Sequence, residues 1–177
     1  MKSPMGKRHR RQSDPSWSWN SWAALLNHVQ TAYRDMENPR RNFVLTTSRE
    51  NPYRDLVLEL GSLVPLVDDT DVNCDASFNY ILGANGSLFV RLSMVGPYAM
   101  LSRDQAEGRS RLIATEQDCD SAVEREVFRT MTRAGLHLLS EEQLTTEIDL
   151  ALPEVQHASV YNALFAPEEE TTTRWPE

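Results

Sequence analysis

Apolar residues at Trp22, Leu25, Leu26, Val29, Tyr33 and Met36 recur at the spacing of one helix face, and Asn38-Pro39 breaks the pattern. A first helix is predicted there. Further on the period shortens, and Phe43 to Thr47 and Asp55 to Leu60 read as β-type runs, the second with Leu56, Leu58 and Leu60 on one side. The stretch FNYILGANGSLFVRLSMV then sets Asn85-Gly86 between two β-rich runs, which predicts a hairpin closed by a type I′ turn. With Ala84 opposite Ser87, Ile81, Leu88, Val90, Leu92 and Met94 share one face, while Phe78, Tyr80, Leu82, Phe89 and Arg91 share the other. Both faces are largely apolar, so helices or a partner must cover both.

Gly96-Pro97 bends the chain into a further β-type run, Tyr98 to Ser102, and the polar stretch RDQAEGRSR follows as a connection. Ser121-Ala122-Val123-Glu124 fits a capping box, and the helix it opens carries an apolar stripe of Val123, Val127, Met131 and Ala134 before Gly135 ends it. A second box, Ser140 to Gln143, opens a short helix with Leu144 and Ile148, and Ser159 to Ala166 is the last ordered piece. These elements predict an α+β fold: an antiparallel sheet of four to five strands with an N-terminal helix and C-terminal helices packed on it. Residues 1–15 are expected to be a disordered basic tail, 16–166 a single domain and 167–177 a disordered acidic tail.

Composition narrows the class. The chain has 177 residues, 40% of them hydrophobic, enough for one core. Its two cysteines, Cys74 and Cys119, form no CxxC pair, and neither a signal-like apolar run nor a membrane-length segment is visible. Arg10-Arg11 precedes polar residues where a twin-arginine signal needs apolar ones, and Arg10 stands where a myristoylation motif starting at Met5-Gly6 needs Ser or Thr. A cytoplasmic location is expected, with Met1 and Met5 both candidate starts.

Charge is uneven. Residues 1–50 carry nine Lys or Arg against four acids, and residues 51–177 carry nine against 22, so that +5 and −13 give the net −8. Such an acidic body repels phosphate backbones and favours a basic partner. Sixteen arginines against two lysines point to a GC-rich, bacterial source.

The stretch DDTDVNCD places Asp69, Asp71, Asn73 and Asp75 on alternate positions, as in a calcium loop. An EF-hand loop starting at Asp69 needs glycine sixth and glutamate twelfth, where this chain has Cys74 and Tyr80, and it needs a helix to follow rather than a strand. No metal and no cofactor is therefore expected, and the loop reads better as an acidic anchor for a basic surface.

Catalytic candidates are sparse. Acidic neighbours Asp75, Asp118 and Asp120 disfavour a thiolate at Cys74 or Cys119, and His137, with Glu141 four residues later, and His157 lie in none of the common catalytic motifs. Gly83 to Ser87 joins two strands and opens no helix, which makes it hairpin chemistry rather than a phosphate cradle. The helices around Gly135 would face DNA with Glu141, Glu142, Glu147 and Asp149, which excludes a helix-turn-helix reading.

The expectation that remains is a non-catalytic protein-binding module. It would meet a basic partner through Asp68, Asp69, Asp71 and Asp75 and through a hairpin face bearing Phe78, Tyr80, Phe89 and Arg91, since aromatic and arginine side chains dominate interface energies. In size, acidity and helix-flanked sheet the chain is similar in class to small bacterial proteins that neutralise toxins or escort secreted effectors. The alternatives are a small enzyme with a carboxylate and His137, and a single-strand nucleic-acid binder. The second would combine Lys7, Arg8, His9, Arg10 and Arg11 with Trp17, Trp19 and Trp22.

Overall fold

The computed structural model describes residues 19–105 and 109–167. The N-terminal tail, with Trp17 and the basic run at 7–11, and residues 168–177 of the C-terminal tail lie outside these residues, whereas Pro167 is described and buried. Helix α1 (Trp19–Tyr33) follows the predicted apolar face: Leu25, Val29 and Tyr33 are fully buried.

The next two segments differ from expectation. Residues read as strands form α2 (Asn42–Glu50) and α3 (Arg54–Leu63). Leu56 and Leu60 are four apart, so they satisfy a helix face as readily as a strand face, and the alternation of Leu56, Leu58 and Leu60 could not separate the two. In the helix, Leu56 and Leu60 are buried and Leu58 turns outward, 67% exposed. Asn51, in the left-handed conformation, ends α2 with its N–H on the Thr47 carbonyl.

Among the described residues six strands follow: β1 (Leu66–Asp68), β2 (Ser77–Leu82), β3 (Leu88–Ser93), β4 (Tyr98–Gln105), β5 (Arg109–Leu112) and β6 (His137–Leu138). The first five pair antiparallel in chain order, and β6 adds a short parallel pairing to the start of β4. The far edge of β4 is thus shared, with β6 along Tyr98 and Ala99 and β5 along Ser102 to Gln105. The stretch expected to be a polar connection supplies the end of β4 and β5. His137 begins β6.

The hairpin is present, but its register is one residue away from the expected pairing. Leu82 faces Leu88, and the turn is closed by Gly86 N–H on the Gly83 carbonyl at 3.0 Å. Gly83 and Gly86, at φ 94° and 61°, take the left-handed positions, so Asn85 is spared the positive φ that a type I′ turn would impose on it. A slip of one residue turns one strand over relative to the other. Phe78, Tyr80 and Leu82 therefore join Leu88, Val90 and Leu92 on one buried face, while Asn79, Ile81, Phe89 and Arg91 line the opposite one.

Helices cover both faces. Phe78, Tyr80, Leu82, Val90, Leu92 and Leu101 pack with Leu56 and Leu60 of α3 and with Val127 and Met131 of α4 (Ala122–Arg133). Tyr98 and Met100 pack on the other side with α1, with Leu144 of α5 (Glu141–Leu144) and with α6 (Val160–Leu164). The predicted boxes at Ser121 and Ser140 are formed, and Gly135, at φ 83°, ends α4 while Leu136 N–H reaches the Met131 carbonyl. The α4 stripe is narrower than expected, since Val123 is 47% exposed and Ala134 is also exposed. No helix among the described residues is long and apolar enough to cross a membrane.

One ion pair crosses between sheet and helix. Buried Arg103 of β4 puts Nη1 3.0 and 2.8 Å from the two Glu124 carboxylate oxygens and Nη2 on the Asp118 carbonyl, with Asp120 Oδ2 also within reach of Nη1 at 2.5 Å. Glu124 simultaneously closes the α4 capping box by accepting from Ser121 N–H. Removing Arg103 leaves Glu124 buried without its cation, and removing Glu124 leaves Arg103 only the exposed Asp120 carboxylate as an ionic partner. Glu124→Ala is expected to destabilise the fold by about 3–5 kcal/mol in urea denaturation, and replacing both Arg103 and Glu124 by methionine should recover a good part of that loss. A cost below about 1 kcal/mol for Glu124→Ala would contradict a structural role for the pair.

Candidate functional site

The acidic loop follows β1 without a break and is organised by its own carboxylates. Asp68 Oδ1 accepts from Thr70 N–H at 3.0 Å, and Asp71 Oδ1 accepts from Asn73 N–H at 2.9 Å. Asp residues favour such local turns because their short side chains reach the backbone two positions on. Asp69 N–H continues the pairing with β2 by reaching the Asn79 carbonyl at 2.9 Å. Asp68, Asp69 and Asp71 are exposed.

Asp75 has a different position. It is half-buried, its Oδ2 accepts from Asn79 Nδ2 at 2.6 Å, and Arg41 Nη2 reaches the carbonyls of Cys74 and Asp75 at 2.9 and 3.3 Å. The loop's far end is thereby fastened to β2 and to the segment before α2. Among the described residues, no group of three or more His, Cys, Asp and Glu comes together as metal ligands would.

The hairpin residues divide. Phe78 and Tyr80 are 4% and 3% exposed, deep in the first core, which withdraws them from any surface. Burial and the nearby Asp68 push the Tyr80 hydroxyl pKa up to about 12. Phe89 and Arg91 lie half-buried on the other face, where Arg91 Nη1 donates to Tyr161 Oη at 2.8 Å and stacks over its ring at 5.7 Å. The expected face bearing all four residues does not form, because of the register.

In its place the register creates a surface that the sequence did not reveal. Val67, Ile81 and Phe89 stand side by side across β1, β2 and β3, with Val67 62% exposed and the other two half-buried. β1 is an edge strand, pairing only with β2 among the described residues. This apolar row therefore runs to an open edge, and that edge continues into Asp68, Asp69 and Asp71. The missing signal was β1 itself, three residues long and too short for periodicity to show.

The remaining candidates are dispersed. The exposed His137 ring lies 6.0 Å from that of Tyr98, and its backbone N–H bonds the Pro97 carbonyl. His157 lines a cleft of about 530 Å³ with Glu147 and Asp149, and no hydrogen bond or ion pair joins these three side chains among the described residues. Cys119 is buried; burial and then Glu124 raise its thiol pKa, which disfavours the thiolate. Cys74 is exposed at the loop. Trp22 belongs to the second core with α1 and is half-buried there.

Charge on the loop should persist to low pH. The Asp71 carboxyl lies below the ordinary carboxylate range, chiefly because Asn73 N–H bonds its charged form, against an upward pull from desolvation. A depressed folded value means that the turn's contribution is complete above the unfolded pKa, about 3.9, and fades as pH falls through the folded one. In an NMR titration the Asp71 carboxyl and the Asn73 amide should share a midpoint below about 3.9. A midpoint at or above that value would mean the turn does not hold in solution.

Compared with protein-family models, curated proteins and solved structures, the chain has no significant match in any of the three.

Proposed function

We propose that the protein is a non-catalytic interaction module that binds a basic protein surface at the β1 edge and the acidic loop. The observation that supports this most is the continuity of an exposed apolar edge, Val67, with three exposed carboxylates, Asp68, Asp69 and Asp71. An apolar centre bordered by charge is how interfaces combine area with steering: the apolar row supplies contact, and the carboxylates select and attract a cationic partner. Open sheet edges also invite pairing with another chain. Asp75 serves this surface indirectly, by anchoring the loop. A neutralising or escorting role toward a basic partner, as immunity-like or chaperone-like proteins perform, suits this arrangement.

The test uses Asp68→Asn, Asp69→Asn and Asp71→Asn together. Asparagine keeps the oxygen that accepts from Thr70 and Asn73, so the turns survive while the charge is removed. Immobilised protein is exposed to lysate of the source cell at low salt and eluted with rising salt. Wild type should retain a basic protein in stoichiometric amount. The triple variant should bind that protein about tenfold more weakly, from roughly 0.5 kcal/mol per exposed pair, and with a flatter salt dependence. Unchanged affinity and salt dependence would remove the loop from the interface.

A further inference from the structure

A second cleft, of about 200 Å³, lies between the last turn of α1 and the first turns of α2. Its wall carries Arg34, Arg40, Asn42, Thr46, Thr47 and Phe43, and no acidic residue lines it. On a chain of net charge −8 this is a local reversal of sign. Neither the Arg34 nor the Arg40 guanidinium has a hydrogen bond or ion pair among the described residues, and both residues are exposed. Asp35 feels the charge of Arg40, but its Oδ1 accepts from Glu37 and Asn38 N–H, and it stands outside the cleft wall.

The backbone around the cleft favours an anion. α2 begins there without a side-chain cap and without an acidic residue in its first turn, so the positive end of its dipole is uncompensated. The carbonyl end of α1, where Thr31 and Ala32 line the wall, opposes this in part, and the opposition is reduced because Gln30 O is taken by Arg34 N–H and Tyr33 O by Asp35 and Arg40 N–H. Arg34 itself sits at φ 66°, where glycine or asparagine is the usual choice. Two planar guanidiniums suit the bidentate recognition of tetrahedral oxyanions. Phe43 offers an apolar flank to whatever carries the anion.

From this geometry we infer that the α1–α2 cleft binds a phosphate group, either free or as the terminal group of a small phosphomonoester. This is independent of the partner surface, which uses other residues.

The test is titration of the full chain with inorganic phosphate and, separately, glycerol phosphate, with chloride matched for ionic strength, followed by amide NMR. Phosphate also stabilises proteins generally by exclusion from their surface, but that effect neither saturates nor depends on two arginines. The expected result is a saturable shift of the Asn42, Phe43 and Thr46 amides. Affinity should fall at least tenfold in Arg34→Asn/Arg40→Gln, asparagine being tolerated at positive φ. Arg34→Lys/Arg40→Lys, which keeps charge and fold, should retain weaker binding. Tighter binding of glycerol phosphate would identify an organic monoester as the natural ligand, and equal or tighter binding of inorganic phosphate would identify the free ion. A linear response that is the same in wild type and both variants would overturn the site.

Discussion

A buried helix of one turn needs its backbone polar groups satisfied by the protein, and α6 draws three distant parts of the chain together to serve its last carbonyls. Residues Val160 to Ala166 are almost wholly buried, so water cannot serve their free groups. At the start, Ser159 and Asn162 form a capping box. At the end, the Ala163, Leu164 and Phe165 carbonyls accept from Tyr33 Oη at 2.9 Å, Ser93 Oγ at 2.8 Å and Ala76 N–H at 2.8 Å. α1, β3 and the segment entering β2 are thus tied to one turn near the C-terminus. Ser77 and Ser93, facing each other across the hairpin, are small and hydroxylic where that turn meets the sheet.

The same contact closes the second face of a sheet that has two apolar sides. α1 and α6 seal the Tyr98 and Met100 end, and α3 and α4 seal the opposite face. Arg103 and Glu124 sit on that opposite side, where a charge survives burial because it is paired and because the helix cap uses the same carboxylate. Coverage of the second face thins toward β1, and there Val67, Ile81 and Phe89 remain at least partly open. The proposed partner surface is therefore the uncovered remainder of the sheet's apolar area.

Electrostatics divide the surface in a corresponding way. Exposed carboxylates gather where β1 ends, and Arg34 and Arg40, without a side-chain partner among the described residues, line the cleft between α1 and α2. Arg41 lies between these regions and reaches back to the loop through the Cys74 and Asp75 carbonyls. Under the two proposed sites the acidic loop would attract a basic protein and the cationic cleft a small anion, each being repelled from the other's place.

How much of this was legible depended on the range of the forces involved. Local rules determined α1, the two Ser-led caps at Ser121 and Ser140, Gly135 as a helix end, the existence of the hairpin and the α+β class, since each rests on neighbours within a few residues. The acidic loop was also visible, although its organisation by Asx turns was not. Tertiary packing decided the rest. A four-residue spacing of leucines served helix and strand equally, and only contact with the sheet made α3 a helix. A single residue of register decided that Phe78 and Tyr80 are core while Val67, Ile81 and Phe89 form an edge row, because side chains alternate strictly along a strand. The cationic cleft joins Arg34 to Thr47 across the turn between two helices, and no linear pattern announces a cavity. Sequence alone thus determined the elements that local caps and turns announce and the sign of the charge. The fold decided which of those residues meet and which remain exposed, because burial is a property of packed surfaces and not of the order of the chain.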